Sequence, residues 1–212
     1  MQPVKIKMLK TEQPLKEPYT DYELQLLLKK PEVKECSFRE FRTWAIINFF
    51  IATGARIRSV VNVKIGDVDF ENGLVKLAVT KNRKPQVLPL PQSMLQILKE
   101  YLRIRQGGSD DYLFSSSTGT KMLESSIGHN VAEYNRARGV LKTSMHLYRH
   151  TFAKNFILQG GDVFRLQKQF GHSTLDMSRR YANIWDTDLQ QGFEQFNLME
   201  RLSTQNQRIR MK

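Results

Sequence analysis

His146, Arg149, His150, His172 and Tyr181 fall within residues 144–185, SMHLYRHTFAKNFILQGGDVFRLQKQFGHSTLDMSRRYANIW. That segment holds three of the chain's four histidines. Two imidazoles four residues apart, His146 and His150, share a helix face, as a metal site requires. The helical zinc-protease pattern needs Glu directly after the first His, and position 147 is Leu; no third ligand follows at a suitable distance. The expectation is therefore no metal. A phosphate fits better. His146 and Arg149, three apart, share a face near a helix start, where backbone N–H groups favour an anion. A guanidinium can grip two phosphate oxygens at once, and an imidazole can donate a third hydrogen bond. Tyr181 follows His172 by nine residues across a helix start, a step that lets an imidazole and a phenol converge. Each residue alone is weak, since a helical Tyr or a buried His is more often packing.

The elements that must position these groups can be traced from the hydrophobic pattern. Thr20 with Glu23 three residues on is a capping box, opening a helix over 21–30 that stops near Pro31. A second helix, Phe38 to Thr53, is apolar nearly all round after Trp44. Its apolar spacing (Phe41, Trp44, Ala45, Ile47, Asn48, Ile51) predicts the central core helix, and Gly54 ends it. A short helix follows in ARIRSVVNVK. Val68, Phe70, the turn Glu71-Asn72-Gly73 and LVKLAVT alternate as a hairpin does. A basic tip carries Lys81, Arg83 and Lys84. VLPLP then returns as a strand whose two prolines confine it to the sheet edge. Helices are expected from Gln92 to Arg105, over 123–138, from Ser144 or His146 to Gln159, and from Asp162 to Phe170, where Gly171 breaks the run. Ser173 or Thr174 then caps a helix to Asn183. Asp186 opens a last helix with Leu189, Phe193, Phe196 and Met199 on one side. This is a mainly α chain with one small antiparallel sheet, an α+β fold without βαβ alternation. With no GxGxxG or GKS/T motif, no nucleotide cofactor is expected.

The chain has 212 residues, with 33 Lys and Arg against 21 Asp and Glu, a formal charge of +12. That excess favours a polyanionic partner, nucleic acid first. The single cysteine, Cys36, excludes an intramolecular disulfide, suits a reducing compartment and reads as a small filler. No apolar run reaches the roughly 18 residues of a membrane span, so no membrane partner is expected. Proline- and lysine-rich residues 1–18 read as a linker or arm, 19–203 as one domain, and 204–212 as a flexible basic tail.

Four blocks in order, TGARIRSVVNVKIGDVDF, TKNRKPQVLPLP, HLYRHTFA and FGHSTLDMSRRYANI, resemble the catalytic domain of the tyrosine recombinases, the integrases of phages and transposons. The resemblance runs from about Thr20 to about Phe196. It implies the tyrosine-recombinase catalytic fold and site-specific DNA cleavage and rejoining, as in integration or excision of mobile DNA. By position, Arg56 matches the family's first arginine and Lys81 the hairpin lysine, with Lys84 as second candidate. His146 and Arg149 match the His-x-x-Arg pair, His172 the second histidine, and Tyr181 the nucleophile. Two positions depart from the pattern: Ser59 stands where an acid is frequent, and Asn183 where His is common. His150 reads as structural behind Arg149, and His129 as lying on a solvated face. The resemblance further implies double-stranded DNA as partner, with directionality or bending proteins as possible helpers. It implies a homotetramer on DNA with the last helix as interface, a cytoplasmic, nucleoid-associated setting, and a DNA-binding domain preceding residues 1–18. Two alternatives stay open: type IB topoisomerase-like relaxation, and DNA binding without catalysis.

Overall fold

The computed structural model describes residues 17–78, 85–172, 174 and 199. Helices α1 (Asp21–Leu28), α2 (Phe38–Thr53) and α3 (Ile57–Val60) come first. A 3-10 turn (Ile65–Asp67) leads into strands β1 (Val68–Asp69), β2 (Leu74–Leu77) and β3 (Gln86–Pro89). Helices α4 (Gln92–Arg105), α5 (Glu124–Ala137), α6 (Met145–Leu158) and α7 (Val163–Phe170) follow the sheet. The expected mainly helical architecture with one small antiparallel sheet is what forms.

Local chemistry explains where elements begin and stop. The Thr20 hydroxyl accepts from the Glu23 amide while the Glu23 carboxylate accepts from the Thr20 amide, so the capping box is real. The Ser37 hydroxyl caps α2 in the same way through the Glu40 amide. α2 ends at Gly54 in the left-handed conformation, φ 62°. α7 starts on Asp162, whose carboxylate accepts from the amides of Phe164 and Arg165, and ends at left-handed Gly171, φ 59°. α1 is two residues shorter than its apolar pattern allows, and α3 is a single turn.

α2 is the centre of the packing, with α1, α4, α5 and α6 around it. Its residues Phe41, Trp44, Ala45, Ile46, Ile47, Phe49 and Phe50 are all buried. Asn48 and Ile51 are only half-buried, and the Asn48 amide donates back to the Trp44 carbonyl. A second, smaller apolar cluster of Ala153, Leu166 and Phe170 joins α6 to α7, with Phe152, Phe156 and Ile157 against it.

The sheet has the order β1-β2-β3, so β3 is an edge, as its prolines require. Its strands are shorter than the alternation predicts. Phe70 falls in the turn after β1, because the Asp69 carboxylate accepts from the Glu71 and Asn72 amides and curls the chain there. The β2–β3 pairing ends at Leu77 opposite Gln86. The basic hairpin tip, the expected helix after Ser173 and most of the expected last helix lie outside the described residues. Of the last helix, Met199 is described, helical and exposed. Among the described residues, no helix is long and apolar enough to cross a membrane.

Candidate active site

Two helix ends meet at the centre of the site. The last turns of α2 and α7 each leave carbonyl groups without helical partners. Side chains from other elements satisfy them. The Gln169 amide donates to the Thr53 carbonyl at 3.0 Å, and Arg149 Nη1 donates to the Gly54 carbonyl at 2.7 Å. On the α7 side, the Phe170 carbonyl accepts from Arg56 Nη1 at 3.1 Å and from Arg149 Nη2 at 3.2 Å. Arg149 Nη2 also lies 3.0 Å from His172 Nε2. An arginine can only donate, so His172 accepts through Nε2 and carries its proton on Nδ1 in this arrangement. One carbonyl oxygen thus lines up two guanidinium groups, and one of those groups fixes the tautomer of an imidazole. The negative ends of two helix dipoles add a field that favours this concentration of positive charge.

The placement of Arg149 is tightly determined. It is 5% exposed, and its guanidinium carbon lies 3.5 Å from the centre of the Phe170 ring. It therefore stacks on the ring as well as bonding in its plane, which leaves it little rotational freedom. His172, 9% exposed, packs against Phe170 in an edge-to-face arrangement, with ring centres 5.3 Å apart. The Gln167 side chain donates to the His172 carbonyl, and the His172 amide donates to the Gln167 carbonyl, which secures the turn after Gly171. Arg56 stands at the N-cap position of α3, half-buried. Ser59 is buried and offers no charge; Arg56 is aligned instead by the Phe170 carbonyl.

α6 carries Arg149, so whatever holds α6 holds the site. Tyr148 is fully buried and donates to Asn135 Oδ1 on α5. The Asn135 amide donates to the Tyr19 hydroxyl, and Tyr19 donates in turn to the Lys142 carbonyl. The Tyr19 amide donates to Thr151 Oγ1 on α6. Burial pushes Tyr19 up to about 12 and Tyr148 well above the ordinary phenol value, so both stay neutral and act as hydrogen-bond struts.

The sequence-predicted set divides as follows. Arg56, Arg149 and His172 are brought together around the Phe170 carbonyl. His146 shares α6 with Arg149 but is exposed in its first turn, while Arg149 points inward. His150 is half-buried; burial and the nearby His146 and Arg149 hold it below its ordinary value, consistent with a structural group. His129 is exposed and pairs with Glu133 one turn on, as expected of a solvated face. Lys81, Lys84, Tyr181 and Asn183 lie outside the described residues. Sequence reasoning missed Gln86, Gln167, Gln169 and the Phe170 carbonyl. Their partners are far along the chain or are main-chain atoms, which no motif displays.

Residues 19–187 match the phage integrase family. The chain belongs to that family. Among relatives it is 31% identical over 166 residues to tyrosine recombinase XerA of Pyrococcus furiosus, covering 77% of this chain and 57% of that protein. The chain spans little more than half the length of the curated relatives it matches. Its fold is that of the XerA recombinase crystal structure, with a TM-score of 0.74 at 23% identity over 92% of this chain and 68% of that one. It is also similar to a XerH site-specific recombinase solved bound to its difH substrate in a pre-cleavage complex. There the TM-score is 0.65 at 26% identity, over 78% of this chain and 49% of the other.

Proposed function

We propose that this integrase-family domain cuts and rejoins double-stranded DNA at a specific site, as in integration or excision of mobile DNA. The observation that carries the reading is the convergence of Arg56 and Arg149 on one carbonyl oxygen, with His172 held against Arg149. Donors able to share one carbonyl oxygen are spaced to share the non-bridging oxygens of a phosphodiester. In the transition state the phosphorus gains a fifth oxygen and its equatorial oxygens carry more charge, which two guanidiniums stabilise. Tyr181 Oη attacks phosphorus, its proton passes to a base such as His146 or water, and the bond from phosphorus to the 5′ oxygen breaks. Lys81 gives that oxygen a proton, leaving a 3′-phosphotyrosyl link and a free 5′-hydroxyl. Attack by a 5′-hydroxyl reverses the steps and restores the diester. The tyrosyl phosphodiester retains the bond energy, so no nucleotide is consumed.

Burial raises the pKa of Tyr19, Tyr101, Tyr134 and Tyr148, and these four are core groups. That supports Tyr181 as nucleophile over them. The +12 charge supports a DNA partner, bound with a steep salt dependence. The reading includes a cytoplasmic setting, a DNA-binding domain ahead of residues 1–18, and a tetramer on DNA joined through the last helix.

Covalent capture tests the reading. Nicked fragments of genomic DNA are incubated with the full-length protein and resolved in SDS. Wild type is expected to yield adducts enriched in one sequence, and Tyr181→Phe none. Adducts that survive Tyr181→Phe would remove the nucleophile assignment. Binding without adducts would mark a DNA-binding regulator, and adducts without sequence preference a topoisomerase-like activity.

A further inference from the structure

Gln86 is the first residue of β3 and closes the β2–β3 pairing opposite Leu77. Its side chain leaves the sheet and crosses to another element. Nε2 donates to the Lys168 carbonyl and to the Gln169 carbonyl, each at 2.7 Å. Those carbonyls are the two that precede Phe170, in the last turn of α7, where the Lys168 carbonyl also accepts from the Gly171 amide. The next carbonyl along is the one that holds Arg56 and Arg149, and His172 follows two residues later. The other side of the same amide lies close to Gly171. A Cβ at Gly171 would lie 3.1 Å from Gln86 Oε1, so the residue that lets α7 end also lets Gln86 approach. The sheet therefore reaches the arginine cluster through one side chain. Three successive carbonyls of α7 are shared between it and the two arginines.

We propose that Gln86 is a positioning residue for the phosphate grip. By holding the Lys168 and Gln169 carbonyls it fixes the last turn of α7, and through the Phe170 carbonyl it sets the spacing of Arg56 and Arg149. This inference rests on the strand-cleavage reading above. It also gives the sheet a function in catalysis apart from carrying Lys81. Two changes at this position separate geometry from bulk. Gln86→Glu keeps the size but turns acceptor oxygens toward two carbonyls, so the strut becomes repulsive. Gln86→Arg keeps N–H donors directed at a helix C-terminus, where a cation is favoured.

The test uses the full-length protein, the duplex sequence recovered by covalent capture, and single-turnover adduct formation at saturating protein. Gln86→Glu is expected to slow adduct formation about tenfold, the scale of losing one good hydrogen-bond geometry. Its DNA Kd should stay within about twofold, and Gln86→Arg should restore the rate to within a few-fold of wild type. On an Arg56→Lys background, where the grip is already altered, Gln86→Glu should cost less than about twofold more. A wild-type rate for Gln86→Glu would overturn the inference. So would the same tenfold penalty on both backgrounds, because a merely structural role is additive. A wild type that forms no adduct overturns the cleavage reading and this inference with it. An active wild type indifferent to Gln86 overturns this inference alone.

Discussion

Around α2 the chain is held by hydrocarbon, with seven of that helix's apolar side chains buried among four other helices. Around the end of α7 it is held by amide and guanidinium groups donating to main-chain carbonyls. The two regions touch at Gly54, where α2 stops and Arg149 finds one of its acceptors. Hydrocarbon packing is non-directional and shares its energy over many contacts. Hydrogen bonds to a few carbonyls set direction but add little net stability each. The proposed phosphate grip, which must hold two arginines in register, needs the second kind of region. It can have one because the first kind supplies the stability. The small cluster of Ala153, Leu166 and Phe170 shows the compromise: enough apolar contact to dock α7, and a ring to carry Arg149.

If the regions differ in this way, substitutions should separate stability from chemistry. Ile47→Ala, in the middle of α2, should cost about 2–5 kcal/mol in chemical denaturation, while the protein that remains folded cleaves DNA at the wild-type rate. Gly54→Ala sits where the regions meet and should fail on both counts. Its Cβ would lie 2.7 Å from the Phe170 ring and 2.8 Å from Phe152, on a residue already at φ 62°. A stability loss of about 2–4 kcal/mol is expected from overpacking and left-handed strain. The displaced Phe170 should lower cleavage far more than the unfolded fraction explains. The smallest effect is a pH dependence at His150. Its native-state pKa lies below its ordinary value of 6.5, so the native state binds fewer protons than the unfolded chain. That contribution is fully present above the unfolded value and is lost as pH falls below it. Between pH 7.5 and 5, wild type should lose more melting temperature than His150→Gln; equal losses would remove His150 as the titrating group.

Much of this was readable in the sequence, for reasons that differ by residue. Thr20 with Glu23, the all-round apolar run after Trp44, and Gly54 and Gly171 as stops are local signals, and each formed where expected. His146 and Arg149 share a helix, but the three-residue spacing did not reveal that Arg149 would be buried and His146 exposed. A long side chain in the first turns can reach inward to the carbonyls of other helices, whereas the imidazole beside it stays in solvent. The short β strands were overestimated because alternation continues through Phe70 while the Asp69 carboxylate bends the backbone there. Gln86 was invisible for a plainer reason. Its partners lie 82 and 83 residues away and are main-chain carbonyls, which leave no residue type to recognise.

The central claim is that the hydrogen-bonded region around α7 grips a phosphate rather than merely completing a fold. Arg149→Lys tests it most directly, because lysine keeps the charge and loses the planar fork that reaches two acceptors at once. Single-turnover cleavage and DNA affinity would be measured on the same duplex. Cleavage is predicted to fall by about a hundredfold or more with affinity within a few-fold, the loss of a transition-state interaction. Cleavage within a few-fold of wild type would contradict the account.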